Sequence, residues 1–242
     1  MAVAVETTKP NYKLLLHACV LVALMSVCSR ASDVSSRQVQ CDGKKYRYEL
    51  FSPGKKTDHD PLPAILLLHG AGDDPGNFLD AWKHFAAKNH IVLIAPELPR
   101  EKWFEAVAPK MFLCVMDDAR QFAPIDSHRS YVFGHSMGGY LAYDTAMFDS
   151  EYFAAVAVHA MFIEDQYQGI LANAKRKTPI IIFSGDHDEL VPVENVRRTR
   201  DLLIKSGFPV QYSELKGHSH NYYAASDAIN ADAWKFLSGH TL

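Results

Sequence analysis

Five short, dominantly apolar runs punctuate the chain: AILLLH at 64–69, IVLIAP at 91–96, YVFG at 131–134, FAAVAV at 153–158 and PIIIFSG at 179–185. A strand turns successive side chains to opposite faces, so a strand that is apolar throughout must be covered on both sides. These runs therefore predict strands of a parallel sheet with helices on both faces. The segment before them is different. RQVQCDGKKYRYELFSP at 37–53 alternates with period two around Asp42-Gly43, which predicts an antiparallel hairpin.

Between the runs, apolar residues recur every three or four positions over 77–89, 109–122, 136–148, 193–206 and 224–237, and each stretch predicts a helix. VQYSELKG at 210–217 supplies a last strand before the final helix. The expected fold is α/β: a mostly parallel, doubly wound sheet with right-handed crossovers and an antiparallel N-terminal hairpin. No insertion between strands is long enough to predict a separate cap domain. In such sheets the functional residues gather beyond the carboxyl ends of the strands.

The first thirty-odd residues stand apart. Lys9 and Lys13 precede the apolar run LLLHACVLVALMSV, and Ser29 and Ala31 follow it as small residues suited to a signal peptidase. The run is shorter than the roughly 20 apolar residues a spanning helix needs. Residues 1–31 therefore read as a cleaved secretory signal, residues 32–242 as one domain, and the location as secreted or periplasmic, without a stable membrane span after cleavage. A lipidated Cys28 is the weaker reading, because Val27 stands where a small residue belongs.

The formal charge of the 242 residues is −3. Residues 1–31 hold three basic residues and one acidic one, so the remainder carries −5. With lysine and arginine scattered, nucleic acid is not an expected partner. Cys41 and Cys114 remain after the leader and could pair in an oxidising compartment, but the sequence favours two separate buried thiols.

One motif carries chemistry. In SYVFGHSMGGYLAYDTAMF, Ser136 falls where a predicted strand gives way to a predicted helix, with Gly134 and Gly138 two residues to either side. G-x-S-x-G in that context exposes a serine hydroxyl on a sharp turn whose crowded backbone leaves no room for Cβ atoms. The helix N-terminus beneath offers unpaired N–H groups to a developing negative charge. A serine nucleophile needs a base, and the base needs an orienting acid. GDHDELVP offers Asp186, Asp188 and Glu189, and GHSHNYY offers His218 and His220. Asp186, His187, Asp188, His218 and His220 could instead build a metal site, but that reading leaves the turn at Ser136 unexplained. There is neither a G-x-G-x-x-G nor a phosphate-binding loop, so no cofactor is expected.

From about Gln38 onward the chain resembles the serine α/β-hydrolases, on the strength of HGAGDD, GHSMGG, GDHDELVP and KGHSHNYY. Within them it is most similar to compact secreted esterases related to polyhydroxybutyrate depolymerases, feruloyl esterases and dienelactone hydrolases. Dienelactone hydrolases proper use a cysteine nucleophile, and Ser136 departs from that pattern. The resemblance implies an α/β-hydrolase fold and hydrolysis of carboxylic esters, of small molecules or polymer ends, through an acyl-serine. It selects Asp188, from the match of Gly185, Asp188, Val191 and Pro192 to G-x-x-D-x-x-V-P. It selects His220 over His218, from G-x-x-H counted from Gly217. Met137 and Ala71 N–H groups are then the expected oxyanion hole, the second from the similarity of His69-Gly70-Ala71-Gly72 to H-G-x-x loops. His69, His135, His159 and His187 read as structural. Trp103, in the loop 97–110, and His159 and Met161, after the fourth apolar run, are candidates to border the substrate pocket. A peptidase or amidase of the same fold is the enzymatic alternative, and a binding protein that keeps the fold without the chemistry is the alternative of another class.

Overall fold

A computed structural model describes residues 34–53, 61–98 and 110–242. The expectations for the leader at 1–31 and for Trp103 lie outside them. Among the described residues eight strands form one sheet in the order β1-β2-β4-β3-β5-β6-β7-β8. β1 (Val34–Cys41) and β2 (Lys44–Phe51) are the antiparallel hairpin, turning through Asp42 and Gly43, which both take positive φ. β2 runs antiparallel to β4 (Val92–Pro96). β4, β3 (Leu62–Leu68), β5 (Ile125–His135), β6 (Ala155–His159), β7 (Ile180–Gly185) and β8 (Val210–Leu215) are mutually parallel.

Side-chain alternation along β3 explains the unbroken apolar runs. Ile65 and Leu67 pack on one face with Phe78, Leu79 and Trp82 of helix α1 (Pro75–Asn89) and Ile229, Ala233 and Leu237 of α6 (Ser226–Leu237). Ala64, Leu66 and Leu68 pack on the other face with α2 (Met111–Ala119), α3 (Met137–Phe148) and α5 (Val193–Lys205). From position 63 to 68 each β3 residue is buried whichever way it points.

The structure differs from the sequence expectations at several ends. α1 begins at Pro75 rather than 77, because the Asp74 side chain accepts the Gly76 and Asn77 N–H groups and proline fits the first helical position. α2 stops at Ala119, where its last residues close in tight turns such as Phe122 N–H to Ala119 O. β5 starts six residues before its apolar part. Its polar end is held by pairing of Ile125 with Leu62 and by Arg129, which donates to Asp126 and to the Pro61 carbonyl. The six-residue helix α4 (Gln168–Asn173) is too short to show a periodicity.

Cys41 and Cys114 are joined by a disulfide, not separate thiols. The pairing follows from β1 and α2 packing together, which a sequence separation of 73 conceals. No helix of the described residues is long and apolar enough to cross a membrane.

The chain passes from β3 outward to β4, then back across β3 to β5. The loops after β3 and β5 therefore leave neighbouring strand ends at a topological switch, where open α/β sheets form their clefts.

Candidate active site

β5 ends at His135 and α3 starts at Met137, leaving Ser136 alone in the turn with φ 52° and ψ −120°. A non-glycine residue at positive φ is strained and persists only where its surroundings dictate it. Here the crowding beneath dictates it. A Cβ on Gly134 would stand 2.2 Å from the Gly138 carbonyl oxygen, and one on Gly138 would stand 1.9 Å from that of Leu68. Only hydrogens fit, so α3 can press against β3 and β5 while Ser136 is lifted at the carboxyl edge of the sheet.

The loops after β7 and β8 are laced together. His187 N–H donates to the His218 carbonyl at 3.0 Å, and Gly217 N–H, at a left-handed φ of 71°, donates to Asp186 Oδ1 at 2.5 Å. Between them lies Asp188, its carboxylate fully buried. Oδ1 accepts the Leu190 N–H at 2.9 Å and the Val191 N–H at 2.8 Å. Oδ2 is 2.8 Å from His220 Nδ1, and His220 Nε2 is 2.9 Å from Ser136 Oγ. Because a carboxylate only accepts, His220 carries its proton on Nδ1 and presents the Nε2 lone pair to the Ser136 hydroxyl. Of the other two carboxylates of the segment, Asp186 serves the turn at Gly217 and Glu189 is exposed.

His218 faces elsewhere: its Nε2 lies 3.0 Å from His159 Nε2. Among the described residues no group of three or more histidine, cysteine or carboxylate side chains could hold a metal ion.

Met137 opens α3, so its N–H belongs to the first helical turn, whose amides have no partner within the helix. The loop after β3 reaches over the same place. A Cβ on Gly70 would stand 3.5 Å from Ser136 Cβ, and Ala71 follows in an exposed position. His69 braces this loop. Its Nε2 accepts the Leu98 N–H at 3.2 Å, so its Nδ1 carries the proton and donates to the Gly70 carbonyl at 2.8 Å.

His159 does not border an open pocket. Its side chain has no exposed surface, and its Nδ1 is 2.9 Å from His135 Nδ1. The register explains the placement, since His135 and His159 are ladder partners at the ends of β5 and β6. Burial, with the nearby His220 second, pushes His135 down to about 3. Burial first, then neighbouring histidines, holds His159 well below the usual histidine range, and burial lowers His218 against the pull of Asp188.

Met161 is half-buried beside Gly139, where an added Cβ would meet Met161 Cβ at 2.9 Å. Three features were not read from the sequence. Tyr140, one turn into α3, meets Tyr167 edge to face with centroids 5.7 Å apart. Leu190, two residues past Asp188, is 72% exposed. The Tyr223 hydroxyl donates to Asp73 Oδ2, tying the loop after β8 to the loop after β3. Only Tyr140 carried a signal, being four residues from Ser136 on a predicted helix.

This sheet order and this serine turn define the α/β-hydrolase class. The model of the dienelactone hydrolase family matches residues 99–236, more than half of the chain. The chain belongs to that family and is a hydrolase of the dienelactone hydrolase and esterase type. Solved structures share the fold at low identity. A thermostable esterase aligns at TM-score 0.67 and 23% identity over 87% of this chain, which spans 64% of that one. A fluorophosphonate-binding serine hydrolase of Staphylococcus aureus aligns at 0.70 and 18%, covering 85% of this chain and 98% of its own. Esterase 2 of Thermogutta terrifontis, phosphonylated by cyclosarin, aligns at 0.68 and 18%, covering 87% and 94%. No curated protein sequence matches the chain.

Proposed function

We propose that the protein hydrolyses carboxylic esters through an acyl-serine intermediate at Ser136. The observation that carries this reading is the unbroken line from Asp188 Oδ2 to His220 Nδ1 at 2.8 Å and from His220 Nε2 to Ser136 Oγ at 2.9 Å. His220 takes the hydroxyl proton as Oγ attacks the ester carbonyl, and buried Asp188 stabilises the imidazolium that forms. The Met137 and Ala71 N–H groups receive the charge on the carbonyl oxygen. The tetrahedral intermediate collapses, the alcohol leaves with the proton from His220, and Ser136 is acylated. Water, deprotonated by His220, then attacks the acyl carbonyl, and the acid departs as the proton returns to Ser136.

The substrate class within this proposal is esters of small molecules or of polymer ends, with Met161 assigned to the pocket. Export is part of the same proposal. It rests on the apolar run after Lys13 and suits the Cys41–Cys114 disulfide, since such bonds persist in oxidising compartments.

The test is labelling of the purified protein by a fluorophosphonate probe, with p-nitrophenyl acetate hydrolysis followed alongside and Ser136→Ala as control. Labelling and turnover, both lost in the variant, are the expected result. A folded wild-type protein that neither labels nor turns over overturns the proposal, and turnover confined to an amide panel makes the protein a peptidase.

A further inference from the structure

Three histidines that the ester mechanism does not use form a continuous line beneath it. His135 Nδ1 and His159 Nδ1 are 2.9 Å apart, and His159 Nε2 and His218 Nε2 are 3.0 Å apart. His135 immediately precedes Ser136 and closes β5. His218 lies two residues before His220 in the loop after β8. The edge of the His135 ring also meets the loop after β3, where a Cβ on Gly70 would stand 3.2 Å from His135 Cδ2. The line thus touches the loops that carry Ser136, His220 and Ala71. Phe78 stacks on His135, and Tyr222 packs on both His135 and His159.

His159 is the centre of the line and has two partners for two nitrogens. A neutral imidazole has one N–H and one lone pair, so His159 donates to one neighbour and accepts from the other. An apolar side chain of similar size could fill the space with less cost, because a buried polar group is tolerated only when hydrogen-bonded. What an apolar residue could not do is fix the separation and orientation of two neighbouring rings. The titratable groups that face the line are His220, Asp188 and Tyr222, and burial disfavours the charged form of each of its members.

We propose that His159 is a positioning residue: it bridges His135 to His218 and thereby holds the Ser136 turn and the His220 loop at reacting distance. The proposal rests on Ser136 and His220 being nucleophile and base. His159 touches neither substrate nor the reacting atoms, and its effect passes through the backbone on either side. A misplacement of about 1 Å in such a pair can lower the rate about 10²-fold.

The experiment compares full-length wild type with His159→Leu, His159→Gln, His218→Leu and the double His159→Leu/His218→Leu variant. Thermal melts establish the folded fraction, p-nitrophenyl acetate hydrolysis gives kcat and KM, and imidazole ¹⁵N spectra report each ring's tautomer. In wild type, His159 should remain a single neutral tautomer from about pH 8 to about pH 5. Folded His159→Leu should lose about tenfold or more in kcat with KM within about twofold, because geometry rather than binding is altered. His159→Gln, whose amide both donates and accepts, should recover most of that loss. His218→Leu should match His159→Leu, and the double variant should be no worse than the poorer single one, since both cut the same bridge.

A folded His159→Leu with kcat within about twofold of wild type overturns the proposal, as does a double variant whose losses multiply. If His159→Leu does not fold, His218→Leu decides alone, by the same kcat criterion. Wild type without Ser136-dependent turnover is a separate failure: it removes the ester reading, and the positioning role with it, before any His159 variant is compared.

Discussion

His220 Nε2 and Ser136 Oγ lie 2.9 Å apart although the two residues are 84 positions apart in the chain. The partner that orients His220 is Asp188, whereas Asp186, two residues earlier, accepts the Gly217 N–H of the neighbouring turn. Asp188→Asn should lower kcat by about 10³–10⁴-fold with the fold intact, because the amide can favour the wrong imidazole tautomer. Asp186→Asn keeps an acceptor oxygen and should stay within about fivefold of wild type. Steady-state kinetics on the two variants decide this, and equal losses would remove the distinction.

The turn beneath Ser136 leaves no space for a methyl group. In Gly138→Ala the new Cβ would have to move from 1.9 Å off the Leu68 carbonyl oxygen and 2.7 Å off that of His69, with backbone on both sides. Loss of about 3 kcal/mol or more of stability, or of soluble protein altogether, is the expected outcome in urea melts. A variant with unchanged midpoint would mean that α3 can shift freely against β3.

The Cys41–Cys114 disulfide closes a separation of 73 residues and ties β1 to α2. Constraint of the unfolded chain over such a loop stabilises by about 2–4 kcal/mol. Reductant should lower the melting temperature of wild type and leave the Cys41→Ser/Cys114→Ser variant unaffected. Wild type that melts identically with and without reductant contradicts the bond.

Stability should depend on pH in two opposed ways. Burial pushes His135 down to about 3, so the folded chain refuses protons that unfolded histidine accepts below about 6.5. That contribution is complete above about 6.5 and is lost as pH falls toward 3. Asp144 acts in the other direction. Burial first, then the charge of Asp149, pushes it up to about 7, so the folded chain keeps a proton that the unfolded carboxyl releases above about 3.9. Its contribution is complete at low pH and is lost as pH rises to about 7. Asp144→Asn should therefore gain roughly 1–3 kcal/mol over wild type at about pH 8 and nothing at about pH 3.5. Equal effects at both pH values in denaturant melts would refute this account of Asp144.

The sequence by itself determined what depends on local burial and local chain geometry. The runs that became β3 to β7 were legible because a strand covered on both faces must be apolar at every position. The hairpin was legible from its period and from Asp42-Gly43, and the Ser136 turn from two glycines at a strand-to-helix junction. The candidate acid and base were narrowed to a few residues each, because this fold sets their order along the chain.

Tertiary structure alone decided what depends on which strands lie side by side. No local signal says that β5 follows β3 across the sheet, that Cys41 meets Cys114, or that Tyr223 reaches Asp73. The polar start of β5 was hidden for the same reason, since its pairing with Leu62 and the Arg129 contacts, not its hydrophobicity, make it a strand. His159 is the clearest instance. The sequence allowed it to be a pocket residue or a structural one. The register that makes it the ladder partner of His135, together with the loop that brings His218 to its other nitrogen, set it beneath the site. A histidine's surroundings are fixed by residues distant in the chain, and only the folded sheet supplies them.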